Sequence, residues 1–209
     1  MGSIPVGVTK TKNYEELTFQ HFIVSLFLKQ CKDKRKEKRI VELWDIYDVN
    51  RNKTGRTIDR NSNERLKQGE YHLVVEAIII NSEGKILLTK RAKSKNKYPL
   101  MWECTGGSCL KGENTLTAIL REVREEIGVN FKEEDAIFLK TLREDNAKDF
   151  KDIWLFRRDI EIKNLKFTDG EVIEAKWVDI KEFEIMCKQK EVVPSIDFTA
   201  EDYEKCLKL

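Results

Sequence analysis

Two histidines in 209 residues, His21 and His72, are too few for a histidine-based catalytic or metal centre. The five cysteines, Cys31, Cys104, Cys109, Cys187 and Cys206, are odd in number and contain no C-x-x-C pair. That pattern argues against a disulfide framework and suits a reducing cytosol, so a cytoplasmic location is expected. Charge of one sign is not in excess either: 39 Lys and Arg stand against 37 Asp and Glu, a formal +2. Such a surface favours solubility and gives no global field for nucleic acid, which is not expected as a partner. Apolar runs are short. The stretch Phe22 to Leu28 falls far below the ~20 residues that span a bilayer. The Tyr14-Glu15-Glu16 ahead of it is unlike a basic signal-peptide start, and Gly2 has no Ser or Thr at position 6 for myristoylation, so no membrane partner is expected.

What is present is an unusually charged chain, 36% Asp, Glu, Lys and Arg against a typical quarter, long enough for one sizeable core. Residues 1–39 differ in character from the rest. Glu15 to Gln30 has a helix-compatible pattern too apolar to stand alone in water, which suits packing on the domain or on a second copy of the chain, a homodimer. Lys29 to Arg39, with seven basic residues and two acids, reads as a solvated linker. A domain spanning 40–209 follows.

Within that domain Glu42 to Val49 alternates as a strand, and Asn50 to Gly55 is turn chemistry before a second strand near Arg56 to Asp59. His72 to Ile80 is apolar enough for a central strand, with Lys85 to Arg91 as its hairpin partner. Six basic residues and no acid lie between Lys85 and Lys97, which fits an exposed loop or a phosphate contact equally. Ala136 to Leu142, Ile153 to Ile160 and Val172 to Val178 read as strands, and Ile180 to Glu191 and Ser195 to Leu209 as helices. This order predicts an α/β fold with a mixed sheet between helical layers.

The chemistry concentrates in Gly107 to Val129, GSCLKGENTLTAILREVREEIGV. Asn114 can cap a helix whose apolar residues Leu116, Ile119, Leu120, Val123 and Ile127 recur at three- and four-residue steps, and Gly128 can end it in a left-handed conformation. At about 100° per residue, Glu122, Glu125 and Glu126 cluster on another flank. Acids there oppose the helix dipole by ~0.3–1 kcal/mol each at exposed sites. A hard divalent cation converts that repulsion into coordination. A solvated acidic face is the plainer alternative, but nine positions matching G-x5-E-x7-R-E-U-x-E-E-x-G-U, with U apolar, argue for a metal site.

This stretch resembles the Nudix box, with every position filled. The resemblance implies a Nudix α/β/α sandwich and a loop-helix-loop that binds Mg²⁺ or Mn²⁺ and hydrolyses a diphosphate linked to another group. It implies that Glu122, Glu125 and Glu126 hold metal with the Gly107 carbonyl, that Arg121 orients the glutamates, and that Glu113 is a structural or outer-shell acid. Outside the box, His72-Leu73, Leu88 to Ala92 with Ser94-Lys95, Pro99, Trp102, Asp169 to Val172 and Trp177 are similar to the isopentenyl-diphosphate isomerase branch of the superfamily. In that branch the positions of Arg91 and Lys95 contact the diphosphate.

Departures from the isomerase pattern bear on the reaction type. The isomerase has a cysteine immediately before the box glycine and a metal-binding histidine immediately after it, where this chain has Gly106 and Ser108. Of its other ligands only His72 and, as an acid in a glutamate's place, Asp152 survive; Arg65 stands where a second histidine is expected and Phe150 where another glutamate would lie. Attack by water is therefore expected, with a box glutamate or a loop acid as base, the loop candidates being Asp152, Glu144, Asp145 and Glu171 in that order. The competing readings are an isomerase using Cys104 or Cys109 as its acid, and a non-catalytic ligand- or partner-binding module. The expected partner is a small-molecule diphosphate, and the group attached to it is not legible.

Overall fold

The computed structural model describes residues 41–168 and 170–209. The expectations for residues 1–39, including a dimerising helix, lie outside the described residues. Strands β1 (Leu43–Tyr47) and β2 (Lys53–Asp59) form a two-stranded antiparallel sheet. The main sheet has seven strands: β3 (His72–Ile80), β4 (Ile86–Arg91), β5 (Trp102–Glu103), β6 (Thr105–Ser108), β7 (Ile137–Glu144), β8 (Asp149–Arg157) and β9 (Val172–Val178). The order β5-β4-β3-β8-β7 forms its path, with β6 pairing β3 and β9 pairing β4. Only β3–β8 among these pairs runs parallel, so the sheet is mixed as expected.

Helix α1 (Thr115–Ile127) covers one face of the sheet. Its Ala118, Ile119, Val123 and Ile127 pack with Leu73, Val75, Ala77 and Ile79 of β3. The alternate β3 residues Ile78 and Ile80 face the other way and pack with Phe183 and Met186 of α2 (Ile180–Lys188) and Cys206 of α3 (Ala200–Lys208). Period-two alternation in one nearly apolar strand thus feeds two separate cores, which gives the α/β/α sandwich. No helix among the described residues is long and apolar enough to cross a membrane.

Three local expectations need correction. The β3–β4 hairpin closes only at Ile80–Ile86 and then splays. Into the gap comes β6, which runs antiparallel to β3 from Ala77–Thr105 to Val74–Ser108 and carries the box glycine along the central strand. Strand β8 begins at Asp149, four residues before the expected Ile153, because its polar leading residues still find a ladder with β3 and β7. The last helix starts at Ala200 rather than Ser195. A capping box explains this: Thr199 Oγ1 accepts from Asp202 N, and Asp202 accepts from Thr199 N.

Candidate active site

Asn114 caps α1 by accepting from Thr117 N at 2.8 Å, and Gly128 ends it at φ 72°. Between these caps the acidic flank is organised by Arg121. Its guanidinium donates to both oxygens of Glu113 at 2.8 and 2.9 Å, to Glu122 Oε1 at 2.8 Å, to Glu125 Oε2 at 3.2 Å and to the Ser108 carbonyl at 3.0 Å. Glu113 also accepts from Leu110 N at 2.8 Å, which pins the loop between β6 and α1. One planar fork thus joins loop and helix and gathers three carboxylates.

Electrostatics follow from this packing. Burial works against the Arg121 charge, but Glu113 and Glu122 outweigh it and hold its pKa above the ordinary value. Burial raises the Glu122 carboxyl, with Arg121 opposing. Burial also acts upward on Glu113, but hydrogen bonds from Arg121 and Leu110 N leave it lowered. Glu126 is 5% exposed, and Glu125 is exposed at the rim.

Gly107 meets Glu122 directly: a Cβ at this position would collide with the Glu122 carboxylate. A side chain here would push the Glu122 carboxylate out of this position. Glu122, Glu125 and Glu126 carry oxygen donors only, the kind that suits a hard divalent ion. No group of three ligating side chains converges into a cage among the described residues.

Beyond Gly107 a cavity of about 760 Å³ opens on the α2 and α3 side of the sheet. Gly106, Gly107 and Ser108 form one edge, Glu76 and Lys151 belong to the floor, and Val193 to Asp197 close the far side. Of the two basic residues expected to meet substrate, Arg91 lines this cavity, held by Glu103 at 2.5 Å. Lys95 is not among the lining residues and pairs instead with Glu171. Lys97 takes its place in the wall.

Asp152, the first-ranked loop acid, is also displaced from the expected role. It points to the α1 side, 3% exposed, and accepts from Arg51 at 2.9 and 2.5 Å, Thr115 at 2.7 Å and Thr141 at 2.6 Å. With four donors on two oxygens it ties the helix start to β7 and the β1–β2 turn. It is a structural acid rather than a base. Asp145 accepts from Tyr71 at 2.7 Å and Glu171 from Lys95, whereas Glu144 lines the cavity. His72 stacks on Trp44 at 4.0 Å and is buried, in keeping with a core role.

The cavity floor holds groups the spacing of the box could not reveal, although Glu76 was visible as the one acid within His72 to Ile80. Burial raises Glu76 to about 7, with Lys151 opposing, and burial lowers His72 to about 4, aided by the Arg60 charge. The consequences for stability are opposite in sign. Between the unfolded value near 4.5 and about 7, folded Glu76 holds a proton the unfolded chain has lost, so stability falls as pH rises. Between about 4 and 6.5 the unfolded chain protonates His72 and the folded one does not, so stability rises with pH. In urea titrations, Glu76→Gln is expected to remove a fall, and His72→Phe a rise, from the wild-type profile across pH 4.5–6.5, each by ~1–3 kcal/mol. Parallel pH profiles for the two variants would contradict these assignments.

Comparison with known proteins agrees with this geometry. Residues 70–197 match the NUDIX domain. An uncharacterized Nudix hydrolase of Listeria monocytogenes is 35% identical over 157 residues, covering 74% of this chain and 89% of that protein. The isopentenyl-diphosphate Delta-isomerase of Escherichia coli is more distant, 26% identical over 113 residues, 52% of this chain and 62% of the enzyme. The crystal structure of DR0079 from Deinococcus radiodurans superposes with a TM-score of 0.63 at 20% identity, covering 79% of this chain and 99% of that one. That likeness carries the fold, and the isomerase branch is not established. The filled box, its packing and the extent of these matches make the chain a member of the Nudix family and a Nudix-type pyrophosphohydrolase.

Proposed function

We propose that the chain hydrolyses a diphosphate bonded to a nucleoside or another small organic group, with water attacking phosphorus. Mg²⁺ or Mn²⁺ would be held by Glu122, Glu125, Glu126 and the Gly107 carbonyl. The observation that carries this reading is the Arg121 fork, which gathers Glu113, Glu122 and Glu125 beside a glycine whose missing side chain leaves room for a carboxylate. Phosphoryl transfer asks mainly for positioning and charge neutralisation. The ion supplies neutralisation and a more acidic water. Arg121 keeps the glutamates in one orientation, and Arg91 with Lys97 gives the cleft its positive wall for phosphate oxygens. Glu122, raised by burial and adjacent to Gly107, and Glu144, on the cavity wall, are the acids best situated to accept the water's proton.

The isomerase alternative needs an acid beside the box glycine. A side chain at Gly106 would collide with the Val75 carbonyl, so β3 leaves no room for one. Cys109 is buried in the α1 core, its thiol pushed up to about 12, and burial raises Cys104 well above its ordinary value. The 32% identity over 92 residues to the nucleoside triphosphatase NudI of Salmonella agona, covering 44% of this chain and 53% of that enzyme, lends support to phosphoanhydride hydrolysis. The test is a panel of nucleoside and non-nucleoside diphosphates with Mg²⁺ or Mn²⁺, scored by product mass. Product release that stops on chelation is expected. Binding without turnover across the panel would favour a non-catalytic module.

A further inference from the structure

Arg91 ends β4, and the chain beyond it doubles back. Arg91 N donates to the Met101 carbonyl at 3.0 Å, and Leu100 N donates to the Arg91 carbonyl at 3.1 Å. The return passes through Tyr98 at φ 50° and Leu100 at φ 64°, left-handed conformations that side chains rarely adopt and that persist where surrounding contacts impose them. It brings two acceptors to the Arg91 side chain. Nε donates to the Lys97 carbonyl at 3.0 Å, just ahead of the first left-handed residue, and Nη1 donates to Glu103 Oε2 at 2.5 Å. Nη2 takes part in neither bond. The sheet in turn places Glu103. As the second residue of β5 it lies opposite Thr89, whose Oγ1 donates to the Glu103 carbonyl at 3.3 Å, so Glu103 and Arg91 form a diagonal cross-strand pair on one face. Both side chains are 15% exposed, and both residues line the cavity.

By charge alone, a carboxylate in the wall of a cleft that receives a diphosphate opposes anion binding. Its effect on the arginine supplies a reason for it. A free arginine side chain loses rotamer freedom when it closes on an anion, whereas one already held at Nε and Nη1 was ordered when the chain folded. We infer that Glu103 is a positioning residue for the hydrolysis: together with the Lys97 carbonyl it fixes the Arg91 guanidinium in the cavity wall, so that Nη2 meets a phosphate oxygen without further ordering. The inference rests on the reading that Arg91 contacts the diphosphate and adds the group that prepares it. Glu103 acts through Arg91 and not on the substrate.

Glu103→Leu and Glu103→Gln separate position from charge, since both remove the negative charge and only glutamine keeps an acceptor for Nη1. The probe is methylenediphosphonate with Mg²⁺, titrated by calorimetry against the full chain, which reads the phosphate contact without turnover. Glu103→Leu is expected to bind it about 5- to 10-fold more weakly than Glu103→Gln, the effect of having to order one rotamer-rich side chain on binding. In an Arg91→Ala background the two should differ by less than about 2-fold, because no guanidinium remains to be placed. If Glu103→Leu does not fold, Glu103→Ala is held to the same criterion. Equal affinities for the two variants with Arg91 present, or a difference that survives in Arg91→Ala, would overturn the inference and leave the phosphate contact standing. Arg91→Ala binding as tightly as wild type, or no binding by wild type, would remove that contact and the inference with it. Failure of the hydrolase reading would appear separately, as absent metal-dependent turnover.

Discussion

Arg121→Met is expected to destabilise the fold by about 3 kcal/mol, because it leaves part-buried acids without their shared cation. Side-chain exposure is 15% for Arg121, 17% for Glu113 and 15% for Glu122, so solvent screens these charges only partly. Glu125, at 47%, contributes little. Lysine should not rescue the loss. One ammonium cannot reproduce a fork that reaches two carboxylates and the Ser108 carbonyl at once. The double variant Arg121→Met with Glu113→Gln should recover part of the stability, since one of the orphaned charges is gone. Urea midpoints measure all three. A loss below about 1 kcal/mol would mean that Arg121 orients the acids without stabilising them.

How far the sequence disclosed this site depends on the range of the interactions involved. The box helix was legible to its caps, because Asn114, Gly128 and the apolar stripe act within a few residues of each other. Glu122 and Gly107 were legible as a pair through their fixed spacing, although their steric fit emerges only when β6 lies along β3. Asp152 was misread for a related reason. Its donors Arg51, Thr115 and Thr141 come from three distant segments, so nothing near it in the chain signals that its oxygens are taken.

The basic loop shows the same limit from the other direction. Charge density at Lys85 to Lys97 fitted an exposed loop and a phosphate contact equally, and neighbours in the chain do not say which of these side chains lines the cleft. Lys95 turns to Glu171 and Lys97 to the cavity. Strand and helix ends shifted where polar residues made long-range ladders, as at Asp149, or a local cap, as at Thr199. In the far wall of the cavity, Ser195 to Asp197 were assigned to the start of a helix and instead form a turn and irregular chain beside Lys151.

The metal-dependent hydrolysis itself is tested most directly at Glu126, a 5% exposed side chain whose replacement by Gln keeps shape and removes charge. Changes to groups that merely support metal ligands cost about 10–100-fold, so loss of a ligand should lower kcat by more than about 100-fold. The measurement is turnover of the best diphosphate in ¹⁸O-labelled water with Mg²⁺, wild type against Glu126→Gln, with product mass and thermal midpoint read together. The expected result is label in a phosphate-containing product from the wild type, and almost none from a variant that is still folded. Turnover of Glu126→Gln within a few-fold of wild type, or an unlabelled product of the same mass as the substrate, would contradict it.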